Sequence, residues 1–259
     1  MSLIFPGHYP VTTDPAVGTV VQARRWVMGR GDGFLHYPGF FTELEQQALL
    51  AEVLAVALRA PFVRPRLTGF GHPYRVEATS AGALGWCSDK HGYGYRATHP
   101  LTGQPWPALG SMTSAAVDRL LAMAGDAVAA PFHADSCLLN RYREDGRLGL
   151  HRDASEAAME APIVSISLGD TARFLVGGSR RRDPQREVLL GSGDGLVMAG
   201  AARGYYHGVA GLLVGSSDLV PGGGRISLTI RQVWRRDVDG AVVGGGSQAL
   251  PTAVGVTGR

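Results

Sequence analysis

Cysteine is nearly missing: the chain has two, Cys87 and Cys137, with no C-x-x-C pair. That argues against a structural disulfide and makes a reduced, cytoplasmic setting the expectation. No apolar run approaches the roughly 20 residues that cross a bilayer, so no membrane partner is expected. Met1 to Pro15 contain no basic segment followed by an apolar one, and no secretory signal is visible. No internal repeat is present. What the chain does have is 45% hydrophobic residues at a mean hydropathy of +0.02, enough for a real core in a soluble protein. Its 37 glycines imply many turns or flexible ends. A formal charge of +3 is compatible with a polyanionic partner without demanding one. A length of 259 residues holds one large domain or two small ones, and an all-β core of that size is commonly one unit.

Residues 1–18 are rich in Pro, Gly and Thr and are expected to be flexible. Val20, Val21, Trp26, Val27 and Met28 predict a first strand or two, closed by a Gly-rich turn at 29–33. Thr42-Glu43-Leu44-Glu45 is a capping box, and the helix behind it should run to about Arg59, before Pro61. A second helix is predicted over Ser111–Ala124. Between them, 62–109 carries aromatic and basic residues on a turn-rich backbone. Such a stretch suits a surface that stacks bases and holds phosphates; it also suits a strand-and-loop layer whose aromatics cover the core. After Phe132 come short apolar runs at Ser136–Arg143, Ile163–Leu168, Arg173–Val176, Glu187–Leu190, Leu196–Met198, Gly204–Gly208 and Arg225–Trp234. Short strands at close spacing predict an all-β sandwich or barrel.

His151 and Asp153 point the same way on extended backbone, since strand side chains repeat every second residue. An imidazole and a carboxylate on one face make two thirds of a facial iron(II) site, whose third ligand is a distant histidine. H-x-D alone is a weak signal. His207, in Tyr-Tyr-His-Gly, is a candidate third member, although a histidine after two tyrosines is more often packed or on the surface. The last predicted strand alternates, with Ile226, Leu228 and Ile230 on one side and Arg225, Ser227, Thr229 and Arg231 on the other. On a solvated face those arginines are ordinary surface charges. In a barrel interior they need anions, because unpaired buried charge is costly. They could then hold the two ends of a short dicarboxylate, or one end of it and a metal-bound carboxylate.

The ordered runs NRYREDGRLGLHRD (140–153), APIVSISLG (161–169), RRRDP (180–184), YYHG (205–208) and RISLTIRQ (225–232) resemble the bacterial AlkB DNA-repair dioxygenases. LGWCSDKHGYGY (84–95) and GQPWPA (103–108) extend the likeness to roughly residues 15 to 235. The resemblance implies a mainly β fold with flanking helices: a double-stranded β-helix (jelly-roll) core behind an N-terminal nucleotide-recognition lid. It divides the chain into one dioxygenase domain over 19–236, with the lid at about 60–110 and the core at about 132–236, and a Gly-rich flexible tail over 237–259.

It further implies Fe(II), 2-oxoglutarate and O2. His151, Asp153 and His207 would be the metal ligands and catalytic centre. Arg225 would take the distal carboxylate of 2-oxoglutarate, helped by Tyr142, with Asn140 and Arg231 near the chelating end and Ser227 in the same pocket. Trp86 and Tyr93 would lie on the lid, the tryptophan stacking on an extruded base, with Ser155 and Arg181 on the substrate side. The basic loop 180–182 reads equally as a solvated hairpin tip. Ser155 stands where relatives carry an acidic residue, Ser227 where they carry asparagine, and Ala78 where they carry a larger apolar residue.

The implied activity is oxidative demethylation of N-alkylated bases of the 1-methyladenine and 3-methylcytosine type, releasing formaldehyde. The partner would be single-stranded or flipped-base DNA, the enzyme a cytoplasmic monomer. Rival readings are the same chemistry on RNA or another modified nucleotide, a non-catalytic jelly-roll protein that binds nucleic acid, and a hydrolytic metalloenzyme.

Overall fold

The computed structural model describes residues 33–128, 131–237, 239–243 and 252–253. The chain runs β1 (Phe34–Tyr37), α1 (Glu43–Arg59), β2 (Glu77–Gly82), β3 (Gly85–Asp89), β4 (Gly92–Arg96) and α2 (Ser111–Ala124). It continues through β5 (Ser136–Tyr142), β6 (Leu148–His151), β7 (Ile163–Gly169), β8 (Thr171–Val176) and β9 (Arg186–Leu190). Last come β10 (Gly195–Met198), β11 (His207–Leu213), β12 (Arg225–Arg231) and β13 (Thr252–Ala253). The predicted strand at 20–28 and the segment 1–18 lie outside the described residues, as does most of the Gly-rich tail.

Two antiparallel sheets face each other. The larger has the order β1-β10-β7-β12-β5-β2, the smaller β6-β11-β8-β9. The double-stranded β-helix expected from the sequence is this pair. β12 lies inside the large sheet between β7 and β5, and its alternation divides the molecule. Ile226, Leu228 and Ile230 join a core with Leu49 and Val53 of α1 and Val117 and Leu120 of α2. Arg225, Ser227, Thr229 and Arg231 face the space between the sheets. The arginines are therefore interior residues, and the reading of them as surface charges falls away.

Both helices form as predicted, but they are capped differently. At α1 the Glu45 amide donates to the Thr42 hydroxyl (3.3 Å) while the Thr42 amide donates to the Glu45 carboxylate (2.8 Å), the reciprocal box. α2 begins at Gly110, which has no side chain to cap with. Glu52 of α1 supplies the acceptor instead, taking the amides of Met112 (2.8 Å) and Thr113 (3.0 Å). Its negative charge also suits a helix N-terminus.

Two predicted strands differ. Gly200–Gly204 is a 3-10 turn, and the strand starts at His207 and runs on to Leu213. Arg203 turns its guanidinium inward from that turn, which an extended strand could not arrange. The other strand stops at Arg231, because the Asp135 carboxylate takes the Val233 and Trp234 amides (2.8 and 3.1 Å) that a ladder would need. The 62–109 stretch is a strand-and-loop region in two parts. β2 joins the large sheet, whereas β3 and β4 form a separate hairpin with β13 against β4. Tyr95 and Trp106 are buried there, while Trp86 and Tyr93 remain half-buried. Cys87 and Cys137 are both free and buried, as the lack of a disulfide pattern implied.

Replacing Glu52 with Ala should cost about 1–2 kcal/mol, the usual range for losing a helix cap. Urea denaturation checks this, and an unchanged midpoint would show that α2 does not depend on the borrowed cap.

Candidate active site

β6 and β11 pair so that His151 and His207 are direct cross-strand partners. Their ring centroids are 4.5 Å apart. The ladder shifts register between His207 and Val209, at Gly208. A Cβ on Gly208 would lie 2.7 Å from the Leu148 carbonyl oxygen, so only glycine lets the two strands approach this closely. Asp153 follows just past the end of β6. Its Oδ1 is 3.8 Å from His151 Nε2 and its Oδ2 3.7 Å from His207 Nε2. The three ligand atoms all lie within 4.8 Å of one another.

Each imidazole is oriented from behind. His151 Nδ1 donates to the Gly149 carbonyl (2.9 Å) and His207 Nδ1 to the Tyr205 carbonyl (3.0 Å). A carbonyl can only accept, so both Nδ1 atoms carry protons and both Nε2 atoms are turned into the gap. Phe174 also stacks on His207, at 5.7 Å between centroids. Burial, with His151 second, pulls the His207 pKa down to about 4, so the ring is neutral at pH 7. Burial alone would raise the Asp153 carboxyl; Arg231, then the two histidines and Arg203, outweigh it and hold it well below the carboxylate range. Two imidazoles and one carboxylate are a set suited to Fe(II), and the donor atoms present fit that ion.

A cavity of about 550 Å³, counting its open mouth, extends from this cluster between the sheets. Asn140, Tyr142, Ser227, Arg225 and Arg231 all line it, with His151, Asp153 and His207. Arg231 is already engaged: its Nη2 donates to Asp153 Oδ2 at 2.8 Å. Of the two arrangements open from the sequence, the structure thus has Arg231 on the candidate ligand's carboxylate.

Arg225 differs. It is 2% exposed. Its Nη2 donates to the Ser167 hydroxyl (2.9 Å), and its Cζ lies 5.3 Å from the Tyr142 ring centroid. Its Nε has no partner, and no carboxylate among the described residues pairs with it. Burial lowers its pKa, the signature of a charge short of compensation. A guanidinium in this position could accept a carboxylate from within the cavity.

The remaining candidates are placed as follows. Trp86 and Tyr93 face each other on the β3–β4 hairpin, with centroids 6.2 Å apart, and do not line the cavity. Ser155 is buried just past Asp153 and does not line it either. Arg181 is exposed, yet it is not simply a solvated tip residue. It donates to the Leu150 carbonyl (2.9 Å), next to His151, and lies 6.0 Å from the Tyr206 ring. Ala78 is buried in β2, opposite Asn140, in the large sheet and not in the hairpin. Sequence reasoning missed Tyr95, Glu156 and Arg203, which are buried behind Asp153. Nothing in their spacing pairs them, because their contacts span 61 and 47 residues.

The sequence profile of the 2OG-Fe(II) oxygenase superfamily matches residues 33–231. An "Alpha-ketoglutarate-dependent dioxygenase AlkB homolog" of Caulobacter vibrioides is 49% identical over 200 residues, covering 77% of this chain and 87% of that protein. The "Alpha-ketoglutarate-dependent dioxygenase AlkB" of Escherichia coli K12 is 38% identical over 197 residues, covering 76% and 88%. Among solved structures, that of OsALKBH1 superimposes with a TM-score of 0.66 at 27% identity, covering 77% of this chain and 98% of the other.

His207→Ala should abolish tight divalent-metal binding. The readout is the metal-induced rise in Tm with Mn(II), with the far-UV circular dichroism of the metal-free protein unchanged. A metal-induced rise that survives the substitution would put the ion elsewhere.

Proposed function

The chain belongs to the AlkB dioxygenases of the 2OG-Fe(II) oxygenase superfamily, and we propose that it removes N-linked methyl groups from 1-methyladenine- and 3-methylcytosine-type bases in DNA. It is a 2-oxoglutarate-dependent dioxygenase that uses Fe(II) and O2. The observation that carries the reading is the pairing of a two-histidine, one-carboxylate cluster with a buried arginine lacking an acidic partner across one cavity.

In this reading His151, Asp153 and His207 hold the metal through Nε2, a carboxylate oxygen and Nε2. Arg225 holds the far carboxylate of 2-oxoglutarate, helped by Ser167 and Tyr142, and Asn140 and Ser227 line its path. When bound, iron(II) with 2-oxoglutarate lets O2 hydroxylate the N-methyl group, yielding succinate and carbon dioxide, after which formaldehyde leaves the base. The protein needs no acid or base of special pKa for this; it contributes binding, orientation and exclusion of water. Leu148, Ile163, Phe174, Leu196 and Met198 form the apolar part of the cavity wall.

The half-buried Trp86 and Tyr93 offer a stacking face, and Arg181 a cation near His151, for a base taken out of its stack. A methyl group on the pairing edge has already broken the pair, which lowers the cost of extrusion. Relatives named "DNA N(6)-methyladenine demethylase ALKBH1D" and "Nucleic acid dioxygenase ALKBH1" are also similar over about a third of the chain, so RNA is tested beside DNA. A cytoplasmic monomer fits the two free thiols, and no described helix is long and apolar enough to cross a membrane.

Formaldehyde release should be detected from single-stranded oligonucleotides carrying 1-methyladenine or 3-methylcytosine, with iron, 2-oxoglutarate and ascorbate. No release from any methylated DNA or RNA would leave a binding protein, and turnover without O2 or 2-oxoglutarate would leave a hydrolase. Arg225→Met should raise KM for 2-oxoglutarate by about 10- to 100-fold, equivalent to losing one charged hydrogen-bond partner. The same change should leave the metal-free protein at least as stable, because it removes a buried charge that only the co-substrate compensates.

A further inference from the structure

Asp153 is held from two directions by residues that the proposed chemistry does not use. Its carboxylate receives Arg231 Nη2 at 2.8 Å. Its backbone carbonyl receives Arg203 Nη1 at 2.7 Å. The two arginines are joined through Glu156, which takes Arg203 Nη2 at 2.8 Å and lies 3.7 Å from Arg231 Nε. Tyr95 closes the ring: its hydroxyl donates to Glu156 Oε1 and accepts from Arg231 Nη1 at 3.3 Å. Tyr95, Arg203, Glu156 and Arg231 are 2%, 3%, 5% and 5% exposed, so water cannot substitute for any member.

Two carboxylates and two guanidiniums cancel, and the ring needs no metal to be neutral. Buried ion pairs seldom add net stability over apolar packing. Arg231 Nε has only the 3.7 Å ion pair to Glu156 and no hydrogen bond, but the other bonds close the ring, and what such a network supplies is a fixed geometry. Tyr95 also belongs to a different body from Asp153. It lies in β4, directly across the ladder from Trp86. Its ring packs with Leu84 and Val233, and Trp86 packs against the same cluster. One side chain thus ties the proposed stacking hairpin to the proposed metal ligand.

We propose that Tyr95 is a positioning residue whose hydroxyl, acting through Glu156 and Arg231, fixes the Asp153 carboxylate in register with the Trp86 hairpin. The inference rests on the reading of Asp153 as a metal ligand. It goes beyond that reading in assigning the alignment of base and metal to a group that touches neither.

Tyr95→Phe keeps the ring and its packing and removes only the hydroxyl. Two quantities should change. Mn(II) affinity, followed by electron paramagnetic resonance without 2-oxoglutarate or O2, should weaken by about 10-fold, the lower end for losing an outer hydrogen-bond partner of a metal ligand. The ratio of succinate formed to formaldehyde released should also rise, as oxidation fires without a methyl group in place. Thr79→Val is the control: it removes an equally buried hydroxyl, bonded to the Ala60 carbonyl (2.7 Å), and should affect Tm alone. If Tyr95→Phe lowers Tm but leaves both quantities at wild-type values, Tyr95 is only structural and the proposal is overturned. Should that variant not fold, Arg203→Lys, which keeps the charge but cannot span Glu156 and the Asp153 carbonyl together, must show the same two changes or the proposal falls. Failure of the metal reading has its own signature, since wild-type protein would then bind no Mn(II) at all, and the inference would fall with it.

Discussion

A strand whose two faces see opposite surroundings governs this structure. β12 is the fourth strand of the large sheet, paired on both sides, and so cannot shift by one residue without moving every side chain to the wrong face. Its isoleucines and leucine are locked into the helix-covered core, which fixes the other face by default. Arg225 and Arg231 are thereby delivered to the two ends of one cavity by packing that involves neither of them. The helices matter to the chemistry in this indirect sense: they hold the register that places the charges.

The two arginines then divide according to how their charge is met. Arg231 is surrounded by Asp153, Glu156 and Tyr95, and although burial alone would lower its pKa, those partners raise it above the ordinary arginine value. Arg225 has a hydroxyl and a ring, and its pKa is lowered by burial. The same residue type on the same strand is finished in one place and left open in the other. The open place is where the proposed co-substrate carboxylate would sit. Likewise the imidazoles spend Nδ1 on carbonyls and leave Nε2 directed at each other's neighbourhood, so the polar groups left over mark what the cavity takes.

Much of this was legible beforehand. The capping box at Thr42, the period of α1 and α2, and the alternation of β12 are local patterns, and each matched the structure. The facing of His151 and His207 was legible only as a candidate, because it depends on a β6–β11 register set by a glycine contact that no periodicity encodes. The strand predicted from Gly204 begins only at His207, and the 3-10 turn before it, which carries Arg203, had no sequence signal. Tyr95 and Glu156 were invisible for a related reason: they are buried polar residues whose partners lie tens of residues away. Trp86 and Tyr93 were expected on a lid, and the hairpin that carries them, outside the cavity lining, emerges only from the β3–β4 pairing.

The two cysteines, first notable for their scarcity, have a consequence for a protein of this chemistry. Burial pushes the Cys87 thiol up to about 11 and the Cys137 thiol up to about 12. Peroxide attacks the thiolate, and at neutral pH almost none is present on either sulfur. Cys137 lies in β5 on the helix-covered face, opposite to Asn140 in the cavity wall. Kept protonated and out of contact with solvent, both sulfurs resist sulfenic acid formation.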